Sequence, residues 1–119
     1  MSMGKKEGTS NQLNQVLLYE RCVLNKVVIL IGKRWVSEIL LLVEIGINRF
    51  SNLKANLSGI SDHVLSTSLE TLVKQNLLTK KIYQQVPLKV EYNLTSAGKE
   101  LLIELHQLCR WGKQSVETD

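Results

Sequence analysis

The strongest constraint on this chain's fold is a change of hydrophobic period near residue 78, reversed near residue 95. Before the first change, apolar side chains recur every three to four residues, as in Trp35, Ile39, Leu40 and Val43, and again in Leu65, Leu69 and Leu72. Between the changes the period is two. Leu78, Lys80 and Ile82 alternate with Thr79, Lys81 and Tyr83, and Val90, Tyr92 and Leu94 alternate with Lys89, Glu91 and Asn93. The polar, proline-containing connection Gln84-Gln85-Val86-Pro87-Leu88 between these runs predicts a hairpin. After Thr95 the helical period returns in Leu101, Leu105, Leu108 and Cys109. The chain reads as mainly α with a small β-hairpin, an α+β class.

Local punctuation divides the helical parts. Residues 1–11 are small and polar and read as a disordered N-terminus, with a single domain over 12–119. A helical pattern, in one piece or two, runs from Gln12 through Val16, Leu17, Val23, Leu24, Val27, Val28 and Ile31, and Gly32 is expected to close it in the left-handed conformation. A second helix is expected over Lys33 to Glu44, ended by Gly46. Ser51 is expected to cap a short helix holding Leu53 and Leu57, and Ser61 to cap another holding Leu65, Leu69 and Leu72. Ser58-Gly59-Ile60 is the tight turn between them, and Asn76, tolerant of the left-handed position, is the stop. Thr95 caps the last helix, which reaches about Gly112. Two short helices joined by a glycine turn make a helix-turn-helix. With the basic hairpin and a flanking helix behind them they make a winged helix.

Composition narrows the function. A chain of 119 residues, 44% hydrophobic, suits one globular core and argues against disorder. The longest apolar runs, Val27 to Ile31 and Ile39 to Val43, are too short to span a bilayer, and no secretion signal opens the chain. Cys22 and Cys109 are too far apart in sequence for a zinc ribbon and too few for a disulfide framework, so a reduced, cytoplasmic protein is expected. The net charge of +4 is concentrated over residues 45–90, with six basic and two acidic groups. That localised field suits a polyanionic partner. No phosphate loop, metal-ligand spacing or nucleophile–base set emerges, so neither a cofactor nor an enzymatic activity is expected. Trp35 and Trp111 read as core or interface anchors.

Several strings resemble one family. Gly32-Lys33-Arg34-Trp35, Ile39-Leu40, Gly46 and Arg49-Phe50-Ser51-Asn52-Leu53 resemble signatures of HxlR-type transcriptional regulators. So do Gly59-Ile60-Ser61, Leu65, Leu69, Leu72, Leu77, Pro87, Val90-Glu91-Tyr92, Leu94-Thr95 and Gly98. The resemblance covers roughly Cys22 to Trp111. It implies a homodimeric bacterial winged helix-turn-helix regulator that binds a palindromic operator in double-stranded DNA, with the N- and C-terminal helices forming the dimer.

The residues themselves nominate the DNA-facing side chains. With Leu65, Leu69 and Leu72 inward, the helix after Ser61 turns His63, Ser66, Thr67, Glu70 and Lys74 outward, its N-terminal half being the part that enters a major groove. The hydroxyls of Ser66 and Thr67 suit base edges, and the Thr67 methyl suits a thymine methyl. Lys80, Lys81, Gln84, Gln85 and Lys89 would reach the flanking backbone or minor groove. Arg49 ties the segment before its helix either to the core or to phosphate. Positions 68 and 70, commonly basic in the resembled family, are Ser68 and Glu70 here. Cys22 matches a family cysteine that senses oxidants or electrophiles, with Val23 replacing the proline that usually follows; otherwise it is a small buried hydrophobe. Cys109 is expected in the core stripe. A small-molecule effector has no residue signature. The competing reading is a winged-helix module for protein contacts, without sequence-specific DNA binding.

Overall fold

A computed structural model describes residues 7–116. Of the segment expected to be disordered, residues 1–6 lie outside that range. The elements run α1 (Glu7–Gly32), α2 (Val36–Glu44), α3 (Phe50–Asn56), α4 (Asp62–Lys74), β1 (Leu78–Tyr83), β2 (Lys89–Leu94) and α5 (Ser96–Ser115). Two units divide between Arg34 and Trp35.

The first unit contains α1, a continuous helix of 26 residues, so the N-terminal pattern is one element. Its apolar side chains Val16, Leu17, Leu24 and Val28 are exposed. Gly32 does not adopt the left-handed conformation; the positive φ falls instead at Trp35, φ 80°. Trp35 is therefore the N-cap of α2, which begins at Val36 rather than at Lys33. Directly after it Val36 is inward, joining Ile39, Leu40 and Val43 as the buried face of α2. Trp35 itself is half-buried.

The second unit holds the core. Side chains from α2, Leu53 of α3, Leu57, Ile60, and Leu65, Leu69 and Leu72 of α4 are all buried, together with Leu77, Leu78, Tyr92 and Leu102. Each of these leucines contributes about 1.5–3 kcal/mol through burial. α2 and α4 end in the same device. Gly46, φ 96°, donates to the Val43 carbonyl while Ile47 donates to Leu42; Asn76, φ 61°, donates to Val73 while Leu77 donates to Leu72. These are the paired bonds of a Schellman cap, closed by residues that tolerate the left-handed region. Ser61 caps α4 as expected, its hydroxyl oxygen accepting from the Val64 amide at 3.1 Å.

Ser51 is not a cap. It lies inside α3, whose N-cap is Arg49 in extended conformation with no side-chain bond. The reason is that Arg49 is committed elsewhere: it forms an antiparallel bridge with Glu91, and the Tyr92 amide donates to the Asn48 carbonyl at 2.9 Å. Residues 48–49 thus extend the β2 edge, and the helix starts directly after them.

β1 and β2 pair antiparallel in the register Leu78↔Leu94, Lys80↔Tyr92 and Ile82↔Val90, alternating with Thr79↔Asn93, Lys81↔Glu91 and Tyr83↔Lys89. The hairpin base is joined to α4 and α5 by a compact set of bonds. Thr95 Oγ1 donates to the Asn76 carbonyl at 2.6 Å and accepts from the Gly98 amide at 2.9 Å, while the Thr95 amide donates to the Leu77 carbonyl at 3.1 Å. A Cβ on Gly98 would lie 2.3 Å from that same Leu77 oxygen, so only glycine fits this first turn of α5.

Along α5 the inward stripe is shorter than expected. Gly98 and Leu102 are buried and Leu101 and Leu105 half-buried, but Leu108, Cys109 and Trp111 are exposed. The helix has outrun the core of its own unit by that point, so Cys109 and Trp111 are not core residues.

Candidate nucleic-acid interface

α4 presents one face to the core and the other to solvent. Leu65, Leu69 and Leu72 are fully buried, which leaves Ser61, His63, Ser66, Thr67, Glu70 and Lys74 all exposed. Thr67 differs from expectation in one respect. Its hydroxyl donates back to the carbonyls of His63 and Val64, each at 3.0 Å, so the group open to a partner is the methyl and an acceptor lone pair. The Ser61 oxygen is likewise occupied by capping. Lys54 of α3 makes an ion pair with Asp62 in the first turn of α4, setting a cation and an anion at the mouth of the helix. The two are 8 apart in sequence, and no spacing rule connects them across a turn.

The pleat of the hairpin separates the wing cations that the sequence places side by side. Lys80 shares its face with Tyr92 and, with Glu70, Val73 and Lys74, lines a depression of about 210 Å³ between β1 and the C-terminal half of α4. Burial, and then the Glu70 carboxylate, push the Tyr92 phenol above its ordinary value.

The opposite face carries a charged cluster. The ammonium groups of Lys81 and Lys89 lie 4.8 Å and 4.6 Å from the centre of the Tyr83 ring, in cation–π range. Lys89 also pairs with Glu91 at 3.4 Å, and the Tyr83 hydroxyl donates to Glu91 at 3.0 Å. Glu91 faces Lys81 across the ladder and Arg49 across the short bridge. The Glu91 carboxyl is accordingly held below the ordinary carboxylate value, first by the Tyr83 hydroxyl, then by Lys89 and Arg49, against partial desolvation. Arg49 is thus tied to the wing through its backbone and adds a positive charge beside Lys89. Sequence spacing alone does not single out Tyr83 and Glu91. The register shows why they belong here: pairing Lys81 with Glu91 and Tyr83 with Lys89 puts all four on one face.

Gln84 and Gln85 are exposed at the hairpin tip, beside Val86 and Leu88. Far from this surface in sequence, Cys22 on α1 is exposed. His106 of α5 lies 2.8 Å from Glu44 of α2. No helix among the described residues is long and apolar enough to cross a membrane.

An exposed helix opposite a buried leucine stripe, a glycine turn before it and a hairpin behind it define a winged helix-turn-helix. The HxlR-like helix-turn-helix family matches residues 30–119. The chain belongs to that family. Its relatives include an HTH-type transcriptional regulator of Methanothermobacter thermautotrophicus, 36% identical over 83 residues, a match spanning 70% of this chain and 63% of that protein. The HTH-type transcriptional regulator BH0655 of Halalkalibacterium halodurans is 43% identical over 84 residues, covering 70% of this chain and 74% of its own length. Among solved structures, the reduced form of the transcriptional regulator YodB from B. subtilis superposes with a TM-score of 0.73 at 26% identity, over 80% of this chain and 93% of that one. This HxlR-like chain is therefore a helix-turn-helix protein whose relatives are transcriptional regulators, and α4 occupies the position of the recognition helix.

Proposed function

We propose that this HxlR-like protein regulates transcription in the cytoplasm by binding a two-fold symmetric operator as a homodimer, with no chemistry of its own. The observation that carries the reading is α4: three buried leucines fix its back, and His63, Ser66, Thr67, Glu70 and Lys74 stand outward beside a hairpin. The stretch from 71 to 90 contains Lys74, Lys80, Lys81 and Lys89 and no acidic residue. The first half of α4 would read base edges through His63, Ser66 and the Thr67 methyl. Lys81, Lys89 and Arg49 on one face of the wing, and Lys80 on the other with Lys74 of α4 beside it, would neutralise phosphates on either side. The exposed apolar side chains of α1, and Leu108 and Trp111 of α5, supply the surface a dimer would cover.

Selection from random duplex DNA with the reduced protein tests this. A two-fold motif with half-sites about one helical turn apart is expected. Binding that is independent of salt, or no binding at all, would favour a protein-contact module instead.

Exposure of Cys22 supports a second reading, in which its thiol makes operator binding respond to oxidants or electrophiles. Diamide should weaken binding of the wild type and not of Cys22→Ser. Equal loss in both would remove Cys22 from the mechanism.

A further inference from the structure

The tip of the wing is built from residues that tips rarely use. Connections between strands favour glycine, proline, asparagine, aspartate and serine, and of these only Pro87 occurs here. This one is Gln84-Gln85-Val86-Pro87-Leu88. Val86 is 99% exposed and Leu88 64% exposed, so neither side chain contributes to the core. Val86 stands almost wholly in water, and Leu88 borders an open depression whose other walls include Arg49, Phe50 and Ser51.

The surroundings indicate what kind of partner would cover it. Lys81 on β1 and Lys89 on β2 stand just below the tip, one on each strand, steadied against the Tyr83 ring. A protein partner is a poor match, because the buried centres of protein interfaces are depleted in lysine. A polyanion with an apolar interior that opens at a narrow slot is a good one. The minor groove of duplex DNA is about 6 Å wide, too narrow for a helix but not for the end of a hairpin. Its floor offers acceptors to side-chain amides such as those of Gln84 and Gln85, and its base steps admit apolar wedges.

Resting on the DNA-binding reading above, we propose that Val86 and Leu88 form an apolar wedge that enters the minor groove beside the α4 contact, unstacks one base step and bends the duplex. Lys81 and Lys89, on one face of the hairpin, meet the phosphates along one side of that groove, and Gln84 and Gln85 bias the site toward A·T pairs. Pyrimidine–purine steps open most easily, so the wedge selects such a step at a position α4 never touches.

The test uses the full-length reduced protein and the operator it selects, carrying 2-aminopurine at the step flanking the α4 contact. Wild type is expected to raise the 2-aminopurine fluorescence and to bend the operator in a gel-phasing series. Val86→Ser/Leu88→Ser, which changes only exposed side chains, should bind about tenfold more weakly. It should keep the salt slope of wild type and lose both the fluorescence rise and the bend. Val86→Ile should retain both. A wild type that binds the operator with steep salt dependence but neither bends nor unstacks it overturns the wedge and leaves the DNA reading standing. So does a double variant indistinguishable from wild type. Absence of salt-dependent binding by wild type itself overturns both.

Discussion

α4 and the hairpin that follows it meet the solvent in opposite ways. α4 is held mainly from behind, by Leu65, Leu69 and Leu72, with the Ser61 cap and the Asp62–Lys54 ion pair added at its first turn. The hairpin beyond its base has little core beneath it, and its outward side chains hold one another: Tyr83 on Glu91, Glu91 on Lys89, Lys89 and Lys81 on the Tyr83 ring. A surface fixed from behind can change its exposed residues with little effect on folding. A surface fixed by its own charges ties affinity to local order. In the first, stability and recognition are separable; in the second they are not.

The sharpest way to break this comparison is to attack the back of α4. Leu69→Ala should lower unfolding free energy by about 2–5 kcal/mol in urea melts. The DNA salt slope of the folded fraction should stay unchanged; a changed slope would mean the core also sets the charged surface. Gly98→Ala comes next. The added methyl meets the Leu77 carbonyl, and the shift it forces should cost about 1–3 kcal/mol in the same melts. Retained stability would show that the first turn of α5 can move away.

On the wing the effects are smaller and fall on binding. Lys81→Ala should weaken binding to all sequences alike and reduce the salt slope by about 1. A loss confined to one operator sequence would argue for base contact instead. Glu91→Gln keeps an acceptor for the Tyr83 hydroxyl but removes the charge between Lys89 and Arg49, and affinity should rise about two- to fivefold, read by fluorescence anisotropy. A fall in affinity would make Glu91 a positioning group for Lys89. Acidity gives the matching stability test. Because the folded state depresses the Glu91 carboxyl, its contribution is present above the ordinary carboxylate value and is lost as pH falls through the depressed one. Wild type should therefore lose more stability than Glu91→Gln as pH falls from neutrality through and below the ordinary carboxylate range. Parallel curves would show that the cluster does not stabilise the fold.

The same contrast explains what could be read from sequence. The leucine stripe of α4, its Ser61 cap, the Asn76 stop and the Thr95 cap are local, set by side chains within four or five residues of one another. The hairpin was legible because the period changed. What local pattern did not carry was commitment by a distant partner. Ser51 has the chemistry of a cap, but the backbone of Arg49 is already paired with Glu91 on β2. Leu108 and Cys109 continue a periodic stripe, yet periodicity marks a face and not whether anything lies against it. Gly32 has the freedom for the left-handed conformation, yet that conformation falls at Trp35, directly before Val36, the first buried residue of α2. For the candidate site, the outward residues of α4 followed from the stripe. The wing cluster required the strand register, which brings together residues 8 apart in sequence, Tyr83 and Glu91.

The junction at Thr95 has a mechanical meaning. One hydroxyl binds both the turn that closes α4 and the amide that opens α5, and the Gly98 backbone lies against the carbonyl between them. A hinge with clearance would let the two helices swing independently. This one has no clearance, so the tilt of α4 and the heading of α5 behave as a single degree of freedom, and a force that turns one must turn the other or break the joint.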